Sequence, residues 1–184
     1  MKKLIISVEK FFLGAAFTPN GLAVLTLPFS QAEEAERDLM ATLARLNTTN
    51  FQFQRLADGG QEKRLIDDLQ RYFAGEATSF EHVKVDLSPH GLTSFQLAVL
   101  NQVKGIPCGL LKSYRQVAEA AGSPRGARAV GQAIGRNPVP IVIPCHRVIN
   151  AGGGLGGFTG GVDKKKILLR IEGFQPEQFS KTFV

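Results

Sequence analysis

The residues best suited to chemistry sit together at Pro144-Cys145-His146-Arg147-Val148, at the end of the apolar run Asn137-Pro138-Val139-Pro140-Ile141-Val142-Ile143. A cysteine becomes a nucleophile when a base or a neighbouring cation favours its thiolate, and His146 and Arg147 offer one of each. Three prolines stiffen the approach and keep Cys145 out of a helix interior. Neighbouring residues of an extended chain point to opposite faces, so His146 is expected to reach Cys145 through a bend or a water. Taken alone, a single cysteine is just as well a small buried hydrophobe; the elements around it decide.

Upstream, Ser113 is a candidate cap for a helix carrying Val117, Ala118 and Ala121, which Gly122 ends, and Ser123-Pro124 reads as the cap and first residue of a second helix. On that helix Arg125, Arg128, Gln132 and Arg136 make one polar stripe, with Ala127, Val130 and Ile134 facing inward. This is a helix-turn-helix pattern whose stripe is placed to face DNA, and the small residues Gly126, Ala129, Gly131 and Ala133 allow a close approach to a groove. Charge agrees: residues 1–90 carry 10 Lys+Arg against 12 Asp+Glu, whereas residues 91–184 carry 12 against 4. A basic excess confined to one half suits a polyanionic partner.

Downstream, Gly152 to Gly161 contains seven glycines in ten residues and lacks the Gly-Lys-Ser/Thr ending of a phosphate loop, but lets backbone amides approach a planar ligand. A final helix, 162–171, is expected to pack through Ile167, Leu168 and Ile171 and to present Lys164, Lys165 and Lys166 outward. The first half carries no catalytic pattern. Strands at Leu4–Val8, Phe11–Phe17 and Leu22–Leu27, the last two joined by Pro19-Asn20-Gly21, form a meander. Ser30 and Glu33 spell a capping box before a helix with Ala35, Leu39, Leu43 and Leu46 inward. A second helix, 61–74, buries Leu65, Ile66, Leu69, Tyr72 and Phe73, and Gly75 caps it; Val83–Leu87 is a candidate edge strand. Ser88-Pro89-His90-Gly91 reads as a linker. Two cysteines, Cys108 and Cys145, make no disulfide framework, no stretch is long enough to span a membrane, and a cytoplasmic setting suits a free thiol.

Pro-Cys-His-Arg-Val after Asn-Pro-Val-Pro, with Ser113-Tyr114, Ala127-Arg128-Ala129-Val130-Gly131, Gly160-Gly161 and Glu172-Gly173, resembles the active-site signature of the O6-alkylguanine-DNA alkyltransferases, also called methylated-DNA–protein-cysteine methyltransferases. The resemblance covers roughly residues 90 to 174 and implies an α/β (α+β) fold. A ribonuclease-H-like scaffold domain is expected over 1–88, a winged-helix/helix-turn-helix-like alkyltransferase domain over 89–175 and a tail over 176–184. It implies a stoichiometric, single-use transfer of an alkyl group from O6-alkylguanine, and from O4-methylthymine, in double-stranded DNA to Cys145. In the family a bridging water joins His146 to Cys145, Glu172 orients His146, and Asn137 ties this loop to the helix-turn-helix. Tyr114 crowds the neighbouring phosphate and contacts the flipped base. The second helix enters the minor groove, where Arg128 fills the gap left by the extruded nucleotide; Arg125, Ser113, Gln132 and Ala129 lie beside it. Val148, Gly157, Phe158, Thr159 and Gly160 correspond to the base pocket, with Phe158 where tyrosine is common and Thr159 where serine is common. Some members hold zinc in the first domain; this chain has no cysteine before Cys108, so neither metal nor cofactor is expected, and a monomer is. Two alternatives are a non-catalytic lesion binder, although such proteins replace the cysteine that is present here, and a helix-turn-helix regulator switched by alkylation. A third, a thiol hydrolase, lacks an oxyanion motif.

Overall fold

The computed structural model describes residues 2–46 and 60–175; the expected tail at 176–184 lies outside them. Three strands, β1 (Lys2–Val8), β2 (Phe11–Thr18) and β3 (Gly21–Leu25), form an antiparallel sheet in the order β1-β2-β3, as the alternating apolar runs require. β2 is paired on both edges, and its residues Leu13 to Phe17 are buried on both faces. Helix α1 (Ala32–Leu43) crosses the sheet and buries Ala35, Leu39 and Leu43 against Ala16, Ala23 and Val24. Gly14 lets it come that close: a Cβ there would stand 2.8 Å from Leu39 Cβ and 3.0 Å from the Ala35 carbonyl.

Helix α2 (Gln61–Phe73) buries Leu65, Leu69, Tyr72 and Phe73, with Ile66 only half-buried, and Gly75 follows it in the left-handed region at φ 85°, as the pattern predicted. The capping box at Ser30 and Glu33 does not form. Gln31 stands at the N-cap without a side-chain bond, and the Ser30 hydroxyl instead reaches Glu34 at 3.3 Å, because the chain leaves the strand-like bridge at Phe29 one residue too late for Ser30 to face the first turn. The candidate edge strand at Val83–Leu87 is reduced to a single parallel bridge, Leu22 with Val85. Asp86 there binds the hydroxyls of Thr18 and Ser88, which diverts the chain into the 3-10 turn Ser88–His90.

The remaining elements form a second group. Helix α3 (Ser94–Lys104) opens on a complete capping box between Thr93 and Gln96, and α4 (Tyr114–Ala120) on another between Ser113 and Gln116. Helix α5 (Ala127–Ile134) packs against both. It starts three residues later than Pro124, because Ser123-Pro124-Arg125-Gly126 closes a turn of its own, Gly126 N–H to Ser123 carbonyl at 2.8 Å. Strand β4 (Lys112–Ser113) pairs in parallel with β5 (Val148–Ile149), and α6 (Val162–Ile171) completes the group.

Contacts divide the chain into two units. One holds the residues up to Leu92 together with Pro138–Val142; the other holds Thr93–Asn137 and the residues from Ile143 onward. The five residues Pro138–Val142 therefore belong to the sheet unit, where the Pro138 carbonyl accepts Leu25 N–H at 3.0 Å. Among the described residues no helix is long and apolar enough to cross a membrane.

Candidate active site

Cys145, His146 and Arg147 form a single 3-10 turn, all three buried. The bend expected between Cys145 and His146 is this turn, set by Pro144 ahead of it and by the Arg147 N–H bond to the Pro144 carbonyl at 2.9 Å. Asn137 holds the entry to it: Nδ2 donates to the Ile143 carbonyl at 2.8 Å, and the same side chain hydrogen-bonds Cys145. The segment between these two residues makes a tight excursion in which Ile141 adopts φ 74°, a conformation that a β-branched residue rarely occupies.

The thiol is not a ready thiolate. Burial pushes its pKa up, outweighing the lowering by the Asn137 side chain, by Lys165 and by the amides of Cys145 and His146. The setting read from sequence as favouring thiolate is therefore one in which the thiol waits for a base. His146 can be that base. Its Nε2 lies 2.6 Å from Glu172 Oε1, and the His146 and Glu172 side chains are fully buried. Glu172 is held down to about 2 against its own burial by bonds from His146 and Arg147. An ionised carboxylate only accepts, so Nε2 carries the imidazole proton and Nδ1 carries the lone pair. Burial keeps His146 neutral, lowering its pKa more than Glu172 raises it.

Arg147 does not point its charge at the thiol, contrary to the expectation from adjacency. Its Nε and Nη2 fork onto Glu172 at 2.9 Å each, and its Nη1 reaches the Ile106 carbonyl at 2.5 Å. The cation that acts on Cys145 is Lys165, which sequence reasoning placed on the solvated face of α6. Lys165 is completely buried. Its Nζ donates to the carbonyls of Val148 at 2.6 Å and Leu155 at 2.5 Å and lies 6.0 and 5.9 Å from the ring centres of Tyr114 and Phe158. Burial lowers its pKa to about 8, which leaves it charged at neutral pH. A signal was present: Lys165 stands three and four residues before Leu168 and Leu169, the buried stripe of the helix. That stripe runs through Lys165, Leu168 and Leu169, while Ile167 and Ile171 are half-buried.

Tyr114 is half-buried and its hydroxyl donates to the Gly157 carbonyl at 3.2 Å; burial and Cys145 raise its pKa. Gly156, at φ 71°, makes room for that ring: a Cβ would fall 3.0 Å from Tyr114 Cε2. Val148 is buried, Phe158 half-buried, and Thr159 exposed with its hydroxyl 3.4 Å from the Gly135 carbonyl. Gly157 is exposed and Gly160 half-buried. So Tyr114, Phe158, the Val148 carbonyl and Cys145 are brought together around Lys165, and the glycine-rich loop adds the Leu155 carbonyl to that cluster. Arg125, Arg128, Ala129, Gln132 and Arg136 are exposed. Arg128, Ala129 and Gln132 lie on α5, while Arg125 precedes the helix and Arg136 follows it. Ser113 is committed to capping α4, and Ala133, expected beside the stripe, faces the core.

Residues 94–174 match the family model for the DNA-binding domain of 6-O-methylguanine DNA methyltransferase. The chain is 49% identical over 105 residues to the methylated-DNA–protein-cysteine methyltransferase of Methanosarcina acetivorans, an alignment that takes in 57% of this chain and 65% of that protein. With the protein of the same name from Salmonella typhimurium it shares 40% over 144 residues, 77% and 80% of the two chains. The crystal structure of Mycobacterium tuberculosis OGT in complex with DNA superimposes with a TM-score of 0.72 at 33% identity, covering 94% of this chain and 92% of that one.

Proposed function

We propose that this chain, which belongs to the methylated-DNA–protein-cysteine methyltransferase family, repairs DNA by moving the alkyl group of O6-alkylguanine, and more slowly that of O4-methylthymine, onto Cys145. The observation that carries the reading is the buried turn that joins a thiol, an imidazole with its lone-pair nitrogen set by Glu172, and a buried cation.

His146 takes the thiol proton, directly or through a water, and Lys165 with the two turn amides stabilises the thiolate that forms. The sulfur attacks the alkyl carbon in line, the carbon–oxygen bond breaks, and guanine departs as an anion that is neutralised by a proton. Tyr114 and Lys165 border the place where that negative charge develops. The C–S bond of the product has no easy reverse path, so each chain acts once, as a monomer, in the cytoplasm. A stacked guanine cannot present its O6 substituent to a buried thiol. The nucleotide therefore leaves the duplex at a cost of a few kcal/mol, and Arg128, exposed on α5, enters from the minor groove to fill its place. Likeness to a protein solved on DNA supports the partner, as does the exposed row of Arg125, Arg128, Gln132 and Arg136.

Intact-protein mass spectrometry after incubation with a duplex bearing one O6-methylguanine tests this. The expected result is one added methyl per chain, on Cys145, and none on Cys145→Ala, which still binds the duplex. Methyl uptake by the alanine variant, or lesion-selective binding by the native chain without any mass gain, overturns it.

A further inference from the structure

Arg147 and His146 are adjacent in sequence and end on the same carboxylate. Glu172 Oε1 accepts His146 Nε2 at 2.6 Å and Arg147 Nη2 at 2.9 Å, Arg147 Nε donates to Oε2 at 2.9 Å, and Nη1 is tied to the Ile106 carbonyl at 2.5 Å, just past α3. The guanidinium is thus fixed on both sides, and Arg147 as a whole is 4% exposed. A carboxylate that orients an imidazole also attracts its second proton, and in a buried site that pull is strong. An imidazolium has no lone pair with which to deprotonate a thiol. Arg147 opposes the pull: its charge balances Glu172, so the set of Arg147, Glu172 and His146 is neutral while the imidazole is neutral.

We propose that Arg147 is a positioning residue for the alkyl transfer: its charge keeps His146 in the unprotonated form that can act as base, and its fork fixes the carboxylate that sets the imidazole tautomer. This rests on Cys145 being the alkyl acceptor. The charged and titratable groups facing His146 are Cys145 and Arg147 from its own turn and Lys165 and Glu172 from α6 and its end. Lys165 acts on His146 in the same sense as Arg147 and is unchanged in the test.

The test is the rate of single-turnover methyl uptake by Cys145 as a function of pH, between about pH 5 and 9, whose acid limb reports protonation of the base. With Arg147→Met, Glu172 is unbalanced and the limb moves to higher pH, so uptake at the acid end of the range falls further below its value at about pH 8 than it does in the native chain. With Glu172→Gln, Arg147 is unbalanced and the limb moves to lower pH or leaves the range. With Arg147→Lys, the limb stays in place while the plateau rate falls, because charge is kept and the fork is lost. An unmoved limb in Arg147→Met, or limbs of Arg147→Met and Glu172→Gln displaced in the same direction, overturns the proposal. Should Arg147→Met fail to fold by near-ultraviolet circular dichroism, Glu172→Gln and Arg147→Lys decide it: an upward shift in Glu172→Gln, or any shift in Arg147→Lys comparable to it, is the overturning result. Absence of methyl uptake by the native chain would instead refute the reading of Cys145.

Discussion

The sheet unit and the unit that carries Cys145 differ in the kind of contact each buries within itself. Around β2 the interior is Leu13, Ala15, Ala16, Leu22, Ala23, Val24 and Leu39, groups whose stabilisation grows smoothly with apolar area removed from water. Around the 145–147 turn the same depth holds His146, Arg147, Lys165 and the Glu172 side chain, whose energies are conditional. Losing an apolar side chain from the sheet unit leaves a cavity; losing one charged partner beside the turn strands another charge away from water. The sheet unit can therefore vary by degrees, whereas the turn works as a set.

Lys165→Met puts the most strain on this contrast. It strands the Val148 and Leu155 carbonyls and removes the cation that acts on Cys145, and methyl uptake should slow by about 10²- to 10³-fold, roughly 3–4 kcal/mol of barrier. The same variant has a signature in stability. Lys165 titrates at about 8 when folded, below its ordinary 10.5, so native stability is lost as pH falls from 10.5 through 8, by up to about 3 kcal/mol. The buried Cys145 and Tyr114 act in the opposite sense over that range, so the test is the difference in urea midpoint between the native chain and Lys165→Met, which should shift in favour of the native chain as pH rises from about 8 to 10.5. A smaller effect is expected from Leu39→Ala, which should cost about 3 kcal/mol of unfolding free energy while leaving the yield of methylated Cys145 per folded molecule unchanged; a matching loss of transfer chemistry would erase the distinction between the units. Gly14→Ala should cost about 1–3 kcal/mol, because α1 must draw back from the sheet to free the Leu39 Cβ and the Ala35 carbonyl from the new methyl group, again without effect on transfer.

What was legible in the sequence follows the same division. Periodicity located the three strands and α2 with its buried face, since apolar burial repeats locally. Capping chemistry was legible where the cap faces its own helix, at Ser113, and misread at Ser30 and Ser123, where the preceding chain dictates the direction of approach. Cys145 and its neighbours stood out as a motif. Their electrostatics did not: Arg147 sits beside Cys145 in the chain, yet it turns to a carboxylate 25 residues away, and Lys165 reads as solvated until the Val148 and Leu155 carbonyls come to meet it. Only folding brings those partners together, so no local pattern contains them.

The passage of Pro138–Val142 into the sheet unit has a consequence for biosynthesis. The first unit is discontinuous in sequence: its last piece emerges some 50 residues after Leu92, which at ribosomal speed is on the order of 3–10 s. Until then Leu25 N–H lacks the Pro138 carbonyl, and the residues immediately before the nucleophile have no place to settle. The sheet unit thus receives its last piece only after the helices between Leu92 and Pro138 have been synthesised, and the segment leading to Cys145 is anchored by a scaffold made long before it.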